Sequence, residues 1–135
     1  MSTPSTPPAP STEPLVTILM LTYNTAEYIG IAIESVLAQT YTNFELIIID
    51  DGSADETAAV VAQYQDPRIR YIQHQENAGL ITRRQESLTY VTGPYVAILD
   101  ADDSWAQPDK LAQQVEYLET HPDCAVVGTF ITLID

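Results

Sequence analysis

The sequence predicts an α/β domain: an open, mainly parallel sheet with helices on both faces. Short, nearly continuous apolar runs recur at residues 15–21, 44–49 and 95–99, the pattern of strands covered on both sides. Between them lie stretches whose apolar residues repeat at helical spacing. Strand and helix then alternate along the chain, an order that right-handed crossovers turn into a parallel sheet. With 135 residues, 45% of them hydrophobic and 18% charged, the chain can bury a single core but hardly two.

Residues 1–14 hold five prolines and six Ser/Thr, with nothing large and apolar beyond Met1, so they read as a disordered tail. The domain begins at residue 15 with the run LVTILML. Asn24 and Glu27 resemble a capping box opening a helix, in which Ile29, Ile33, Val36 and Leu37 share a face. Residues 44–49 form the second strand. After Asp50-Asp51-Gly52-Ser53, a second capping signal from Ser53 and Glu56 opens a helix striped by Thr57, Val60, Val61 and Tyr64 and ended by Asp66-Pro67. Ile69 and Tyr71 alternate with Arg68 and Arg70, as an edge strand should. A third helix is expected over 80–90, with Ile81, Arg84, Leu88 and Val91 near one face and Gly93-Pro94 as the stop. The run YVAIL at 95–99 reads as another buried strand leading into Asp100-Ala101-Asp102-Asp103. Pro108 suits the first turn of a fourth helix carrying Leu111, Val115 and Leu118, and residues 125–134 read as a fifth strand.

Five Lys+Arg stand against 19 Asp+Glu, a net charge of -14. Most of such a surface repels a nucleic-acid backbone or an anionic membrane. An anionic ligand must be met by a local device such as a metal ion or a helix N-terminus. No apolar run approaches the roughly 20 residues of a membrane-spanning helix, and the N-terminus carries no targeting pattern, so the reading is soluble and cytoplasmic. The single cysteine, Cys124, excludes an internal disulfide framework and is expected to be a small buried hydrophobe.

Ligands of an open parallel sheet bind beyond the carboxyl ends of its strands, where the sequence places Thr22-Tyr23-Asn24, Asp50-Asp51 and residues 100–103. Asp100, Asp102 and Asp103 crowd three carboxylates into four residues, and two such charges ~5 Å apart repel by roughly 3 kcal/mol at a dielectric near 20. A cation is expected there; oxygen-only ligands select Mg²⁺, Mn²⁺ or Ca²⁺. The alternative is a solvated acidic turn. With Ser53 as the cap, Asp51 is left free to accept from a ribose hydroxyl or a base N–H. Tyr23 offers a ring for stacking or is a partly buried core tyrosine. Arg83 and Arg84 serve an anionic ligand or form structural ion pairs. His74 and His121 show no partner pattern and read as surface residues, and Trp105 either packs below a sugar or fills space.

The ordered series VTILMLTYN (16–24), AQTYTNFE (38–45), IDDGSADET (49–57), ENAG (76–79), LDADD (99–103) and PDKL (108–111) resembles the nucleotide-sugar half of the family 2 glycosyltransferases, over about residues 14–135. The resemblance implies the Rossmann-like GT-A fold and transfer of a sugar from a nucleoside-diphosphate sugar, usually a UDP-sugar, to a saccharide or lipid-linked acceptor in cell-surface polysaccharide assembly. By that likeness Thr22, Tyr23 and Asn24 lie along the nucleotide, with Tyr23 and Asp51 contacting the base. Arg84 matches an arginine near the nucleotide, Asp100 opens the acidic motif, Asp102 contacts ribose or metal, and Asp102 or Asp103 binds Mg²⁺ or Mn²⁺. Two departures stand out: Leu21 replaces the usual proline, and Gln85-Glu86-Ser87 replaces Asn-x-Gly, bearing on donor specificity. The family's catalytic base belongs to the acceptor-binding half, expected beyond Asp135, so the chain reads as a donor-binding half whose last strand could pair with a second copy. A non-catalytic nucleotide-sugar module is the rival reading. A phospho-acceptor domain fits less well, lacking an acid pair after the first strand, and no G-x-G-x-x-G supports nicotinamide binding.

Overall fold

The computed structural model describes residues 13–134; most of the proline-rich tail and the terminal Asp135 lie outside the described residues. Eight elements alternate: β1 (Val16–Thr22), α1 (Ile29–Leu37), β2 (Phe44–Asp50), α2 (Thr57–Val61), β3 (Ile69–Gln73), α3 (Leu80–Leu88), β4 (Tyr95–Ile98) and α4 (Lys110–Thr120). The strands form one sheet in the order β3-β2-β1-β4, every pairing parallel.

All seven residues of β1 are buried. Period-two alternation divides its side chains between two cores. Val16, Ile18 and Met20 meet Ile29, Ile33 and Val36 of α1, Val61 of α2, and Leu111 and Val115 of α4. Leu19 and Leu21 join Ile47 and Ile49 on the opposite face, beneath α3. Three helices cover one face and one covers the other, which satisfies the need of a parallel sheet for two covered sides.

Several local expectations give way to tertiary packing. Residues 125–134 form no strand; they have no regular secondary structure, and Val126, Phe130, Ile131, Leu133 and Ile134 are exposed. Apolar, β-prone composition fits a strand but cannot supply the neighbouring backbone that a strand must pair with. The described sheet therefore stops at β4. Nor is β4 wholly buried: Tyr95 and Ala97 pack on the α1/α4 side, whereas Val96 and Ile98 are about half exposed. The third helix turns Arg83 and Ser87 inward and leaves Leu80, Ile81 and Leu88 outside, the reverse of the face its apolar pattern predicts. Arg83 has a buried partner waiting at the end of β2, and that decides the rotation.

Ile18→Ala, at a fully buried position on the central strand, should cost about 2–5 kcal/mol. Val96→Ala, on the open face of β4, should stay within about 0.5–1 kcal/mol. Urea denaturation of the two variants checks the contrast.

Candidate functional site

Strand register brings the three predicted polar clusters to one edge. Thr22 pairs with Asp50 across β1 and β2, and the Asp51 N–H continues the ladder onto the Thr22 carbonyl at 2.9 Å. On the other side of β1, Leu99 and Ala101 donate to the carbonyls of Leu19 and Leu21. Tyr23, Asp51 and residues 100–103 thus leave the sheet side by side. β2 and β4 lie on opposite sides of β1, so this edge is the topological switch point where such sheets take their ligands.

The connecting loops are laced together differently from the two predicted capping boxes. Neither α1 nor α2 has a side-chain cap. Asn24, in the left-handed region at φ 51, accepts at Oδ1 from the Ala54 N–H at 2.8 Å and donates its own N–H to Ser53 Oγ at 2.9 Å. Asp55 accepts from the Ala26 N–H at 3.0 Å. The cap-type side chains of each loop satisfy the backbone of the other, fixing the loops after β1 and β2 as one unit.

Asp51 is not free. Its Oδ1 accepts from the Ala78 N–H at 2.7 Å and from Arg83 Nε at 2.7 Å, and its Oδ2 from the Gly79 N–H at 2.9 Å. Burial opposes ionisation of this carboxyl, but the Ala78 N–H, Arg83 and the Gly79 N–H outweigh it and hold its pKa below the ordinary value. Gly79 adopts φ 95, a conformation that favours glycine, and so can present its N–H at the start of α3. Oδ2 retains an unused lone pair beside a cleft of about 190 Å³ lined by Tyr23, Thr22, Leu21, Asn77, Leu80 and Arg83. The Tyr23 ring is 50% exposed, which leaves a face for stacking.

The acidic loop divides its labour. Asp100 Oδ1 accepts from Arg84 Nη2 at 3.0 Å, while Arg84 Nη1 is buried without a partner. Asp102 and Asp103 are exposed. Partial burial, then Asp102, then Asp100 push the Asp103 carboxyl above its ordinary pKa, so the charge crowding predicted from the sequence is present. Among the described residues no three His, Cys, Asp or Glu side chains converge as a ready metal cage. Two carboxylates on one turn suit a hard cation that completes its shell with phosphate and water, the habit of Mg²⁺ and Mn²⁺.

Of the two readings of Arg83, the structural ion pair is the one present: Arg83 pairs with Asp51 and with Glu86. Sequence reasoning missed these partners and the contact of His74, expected at the surface without a partner, with Glu86 Oε1 at 2.8 Å. The readable signal was the i,i+3 spacing of Arg83 and Glu86. His121 stacks on Tyr117 at the exposed end of α4. Trp105 packs against the larger core under the Lys110 ammonium. Cys124 is only partly buried, because the segment after α4 offers no covered site.

A parallel sheet with polar clusters gathered at its switch point defines a class of ligand-binding α/β domains, and comparison with known proteins narrows it. The profile described as glycosyl transferase family 2 matches residues 17–133, and the chain belongs to that family. It is 41% identical over 110 residues to the succinoglycan biosynthesis protein ExoO of Rhizobium meliloti, covering 82% of this chain and 31% of that one. It is 38% identical over 104 residues to the UDP-Glc:alpha-D-GlcNAc-diphosphoundecaprenol beta-1,3-glucosyltransferase WfgD of Escherichia coli, covering 77% of this chain and 41% of that one. The chain thus spans less than half the length of these relatives. Among solved structures, it superposes on the mannosyltransferase PcManGT from Pyrobaculum calidifontis in complex with GDP-Man and Mn²⁺ with a TM-score of 0.73 at 29% identity, over 84% of this chain and 35% of that one. S. aureus TarS in complex with UDP-GlcNAc gives 0.74 at 25% identity, over 79% and 32%. The fold is GT-A.

Two outcomes follow for the chain without ligand. Arg83→Met should destabilise it by about 3 kcal/mol, because the buried Asp51 carboxylate loses its counter-charge. Asp103→Asn should raise the melting temperature at pH 7. A carboxyl whose pKa is raised in the fold gives stability below its unfolded pKa and loses it as pH climbs through the folded value, so removing the charge helps at neutral pH. Calorimetric scans at pH 7 and pH 4, where the benefit should shrink, check both signs.

Proposed function

We propose that this chain is the donor-binding part of an inverting, metal-dependent glycosyltransferase that uses a nucleoside-diphosphate sugar, with a UDP-sugar as the first choice. The observation that carries the reading is the shared strand-end edge: the Tyr23/Asp51 cleft on one side of β1 and the Asp102/Asp103 turn on the other. Tyr23 stacks on the base and the spare Oδ2 lone pair of Asp51 accepts from a base N–H. Thr22 and Asn24 line the path of the nucleotide, Asp102 reaches the ribose or the metal, and Arg84 holds Asp100 clear of the metal turn. Asp102 and Asp103 would hold Mg²⁺ or Mn²⁺, which when bound neutralises charge on the departing diphosphate.

In the reaction, an acceptor hydroxyl attacks the anomeric carbon as its bond to the diphosphate oxygen breaks, and a carboxylate takes the hydroxyl proton. We assign that base, and the site for a saccharide or lipid-linked acceptor, to sequence that the longer relatives carry outside the matched region. The names of the relatives support a place in cell-surface polysaccharide synthesis. Among the described residues no helix is long and apolar enough to cross a membrane.

UDP should raise the melting temperature with Mn²⁺ or Mg²⁺ and not with chelator, since a ligand stabilises only a fold that binds it. Asp102→Asn should abolish most of that shift and Asp109→Asn, at the start of α4, should not. Equal shifts with and without metal would refute the metal assignment. Asp51→Ala should weaken UDP by about 1.5–3 kcal/mol, with Tyr23→Ala acting in the same direction; calorimetric titration with UDP and GDP in parallel also ranks the bases.

A further inference from the structure

Arg83 divides its guanidinium among three acceptors. Its Nε donates to Asp51 at 2.7 Å, Nη1 to Glu86 Oε2 at 2.9 Å, and Nη2 to the Glu76 carbonyl at 2.9 Å. Glu86 is itself held from behind: Oε1 accepts from His74 Nε2 at 2.8 Å and from the Tyr90 hydroxyl at 3.2 Å. His74, just past β3, is anchored by its main-chain N–H on the Asp50 carbonyl at 2.9 Å. A continuous line of hydrogen-bonded polar side chains therefore runs from the end of β3, through the inner side of α3, to the carboxylate that faces the cleft.

A planar guanidinium held only at Nε can swing about that bond. Acceptors on both remaining nitrogens fix its plane. Arg83 Nε shares Asp51 Oδ1 with the Ala78 N–H while Oδ2 takes the Gly79 N–H, so Arg83 is the side-chain donor among three that together set how the carboxylate is turned. Neither Glu86 nor His74 lines the cleft, and the hydrogen-bonded route from them to the cleft passes through Arg83.

We propose that Glu86 and His74 are positioning residues for nucleobase recognition, acting through Arg83 to aim the Asp51 carboxylate into the cleft. The inference rests on the reading that this cleft receives the base of the donor nucleotide. Glu86 thereby supplies a rigid support to a base-binding acid.

The rival roles of Glu86 differ in sign. If Glu86 acted only by its charge, removing it would tighten binding of an anionic nucleotide. A purely structural contribution would lower the melting temperature and leave affinity alone. Positioning demands weaker nucleotide binding, restored by glutamine, which keeps an oxygen acceptor for Arg83 Nη1.

The test is calorimetric titration of the 135-residue chain with UDP and, separately, with inorganic pyrophosphate, both with Mn²⁺, for the wild type, Glu86→Ala, Glu86→Gln and His74→Ala. Glu86→Ala should weaken UDP about tenfold and His74→Ala about threefold, the scale of one charge-assisted or one weaker hydrogen bond. Glu86→Gln should stay within about threefold of wild type, and pyrophosphate, which has no base, should bind all four alike. Should Glu86→Ala fail to fold, the UDP-to-pyrophosphate ratio for His74→Ala decides. Wild-type UDP affinity in the folded variants, or equal losses for UDP and pyrophosphate, overturns the inference alone. No UDP binding by the wild type overturns the donor-site reading and this inference with it.

Discussion

Everything in this domain hangs on β1, which must be paired along both edges and covered on both faces. Its seven residues are buried, and a strand so placed has nowhere to satisfy its backbone except against β2 and β4. That requirement sets the strand order. The alternation of Val16, Ile18 and Met20 with Leu19 and Leu21 then recruits α1, α2 and α4 to one face and α3 to the other. The same ladder carries its neighbours' carboxyl ends to the point where Thr22, Asp51 and Asp100 emerge together. Site and core are two ends of one constraint.

Charge balance explains why the cleft needs outside help with an anion. In a chain with five cations and a net charge of -14, the two arginines of α3 are the cations nearest the strand ends. Both are already engaged: Arg83 by Asp51 and Glu86, Arg84 by Asp100. Arg83 is fully engaged, whereas Arg84 meets Asp100 through Nη2 and its buried Nη1 has no partner. No ion pair is formed by Asp102 or Asp103 among the described residues, and the Asp103 carboxyl is pushed above its ordinary pKa by partial burial first and by Asp102 and Asp100 after it. On the proposed reading, a divalent cation is the simplest group that satisfies both the exposed acids and a diphosphate.

The buried ion pair also reconciles two demands on Asp51. A carboxylate proposed to recognise a base must stay ionised and hold one orientation, yet it sits where burial disfavours charge. Two backbone N–H groups and one arginine overcome that penalty. The consequence reaches α3, whose apolar Leu80, Ile81 and Leu88 stay outside so that Arg83 and Ser87 can lie inside. A buried carboxylate has fixed the rotation of a helix against its own hydrophobic pattern.

The residue pattern alone determined the element order, the both-face burial of β1 and β2, the helical face of Ile29, Ile33 and Val36, and the edge position of β3, because these depend on local period and on apolar content. It also located Thr22, Tyr23, Asp51 and the Asp100 to Asp103 turn at strand ends, and the ordered motifs named the family. Tertiary structure decided what period cannot encode: which partner each polar group finds. Asn24 and Ser53 cap no helix, since each satisfies the other's loop; Asp51 is bound by Arg83; His74 meets Glu86 across two elements. Residues 125–134 carry strand-like composition and form no strand, because a strand exists only through a neighbour's hydrogen bonds, and pairing is a property of the assembled sheet.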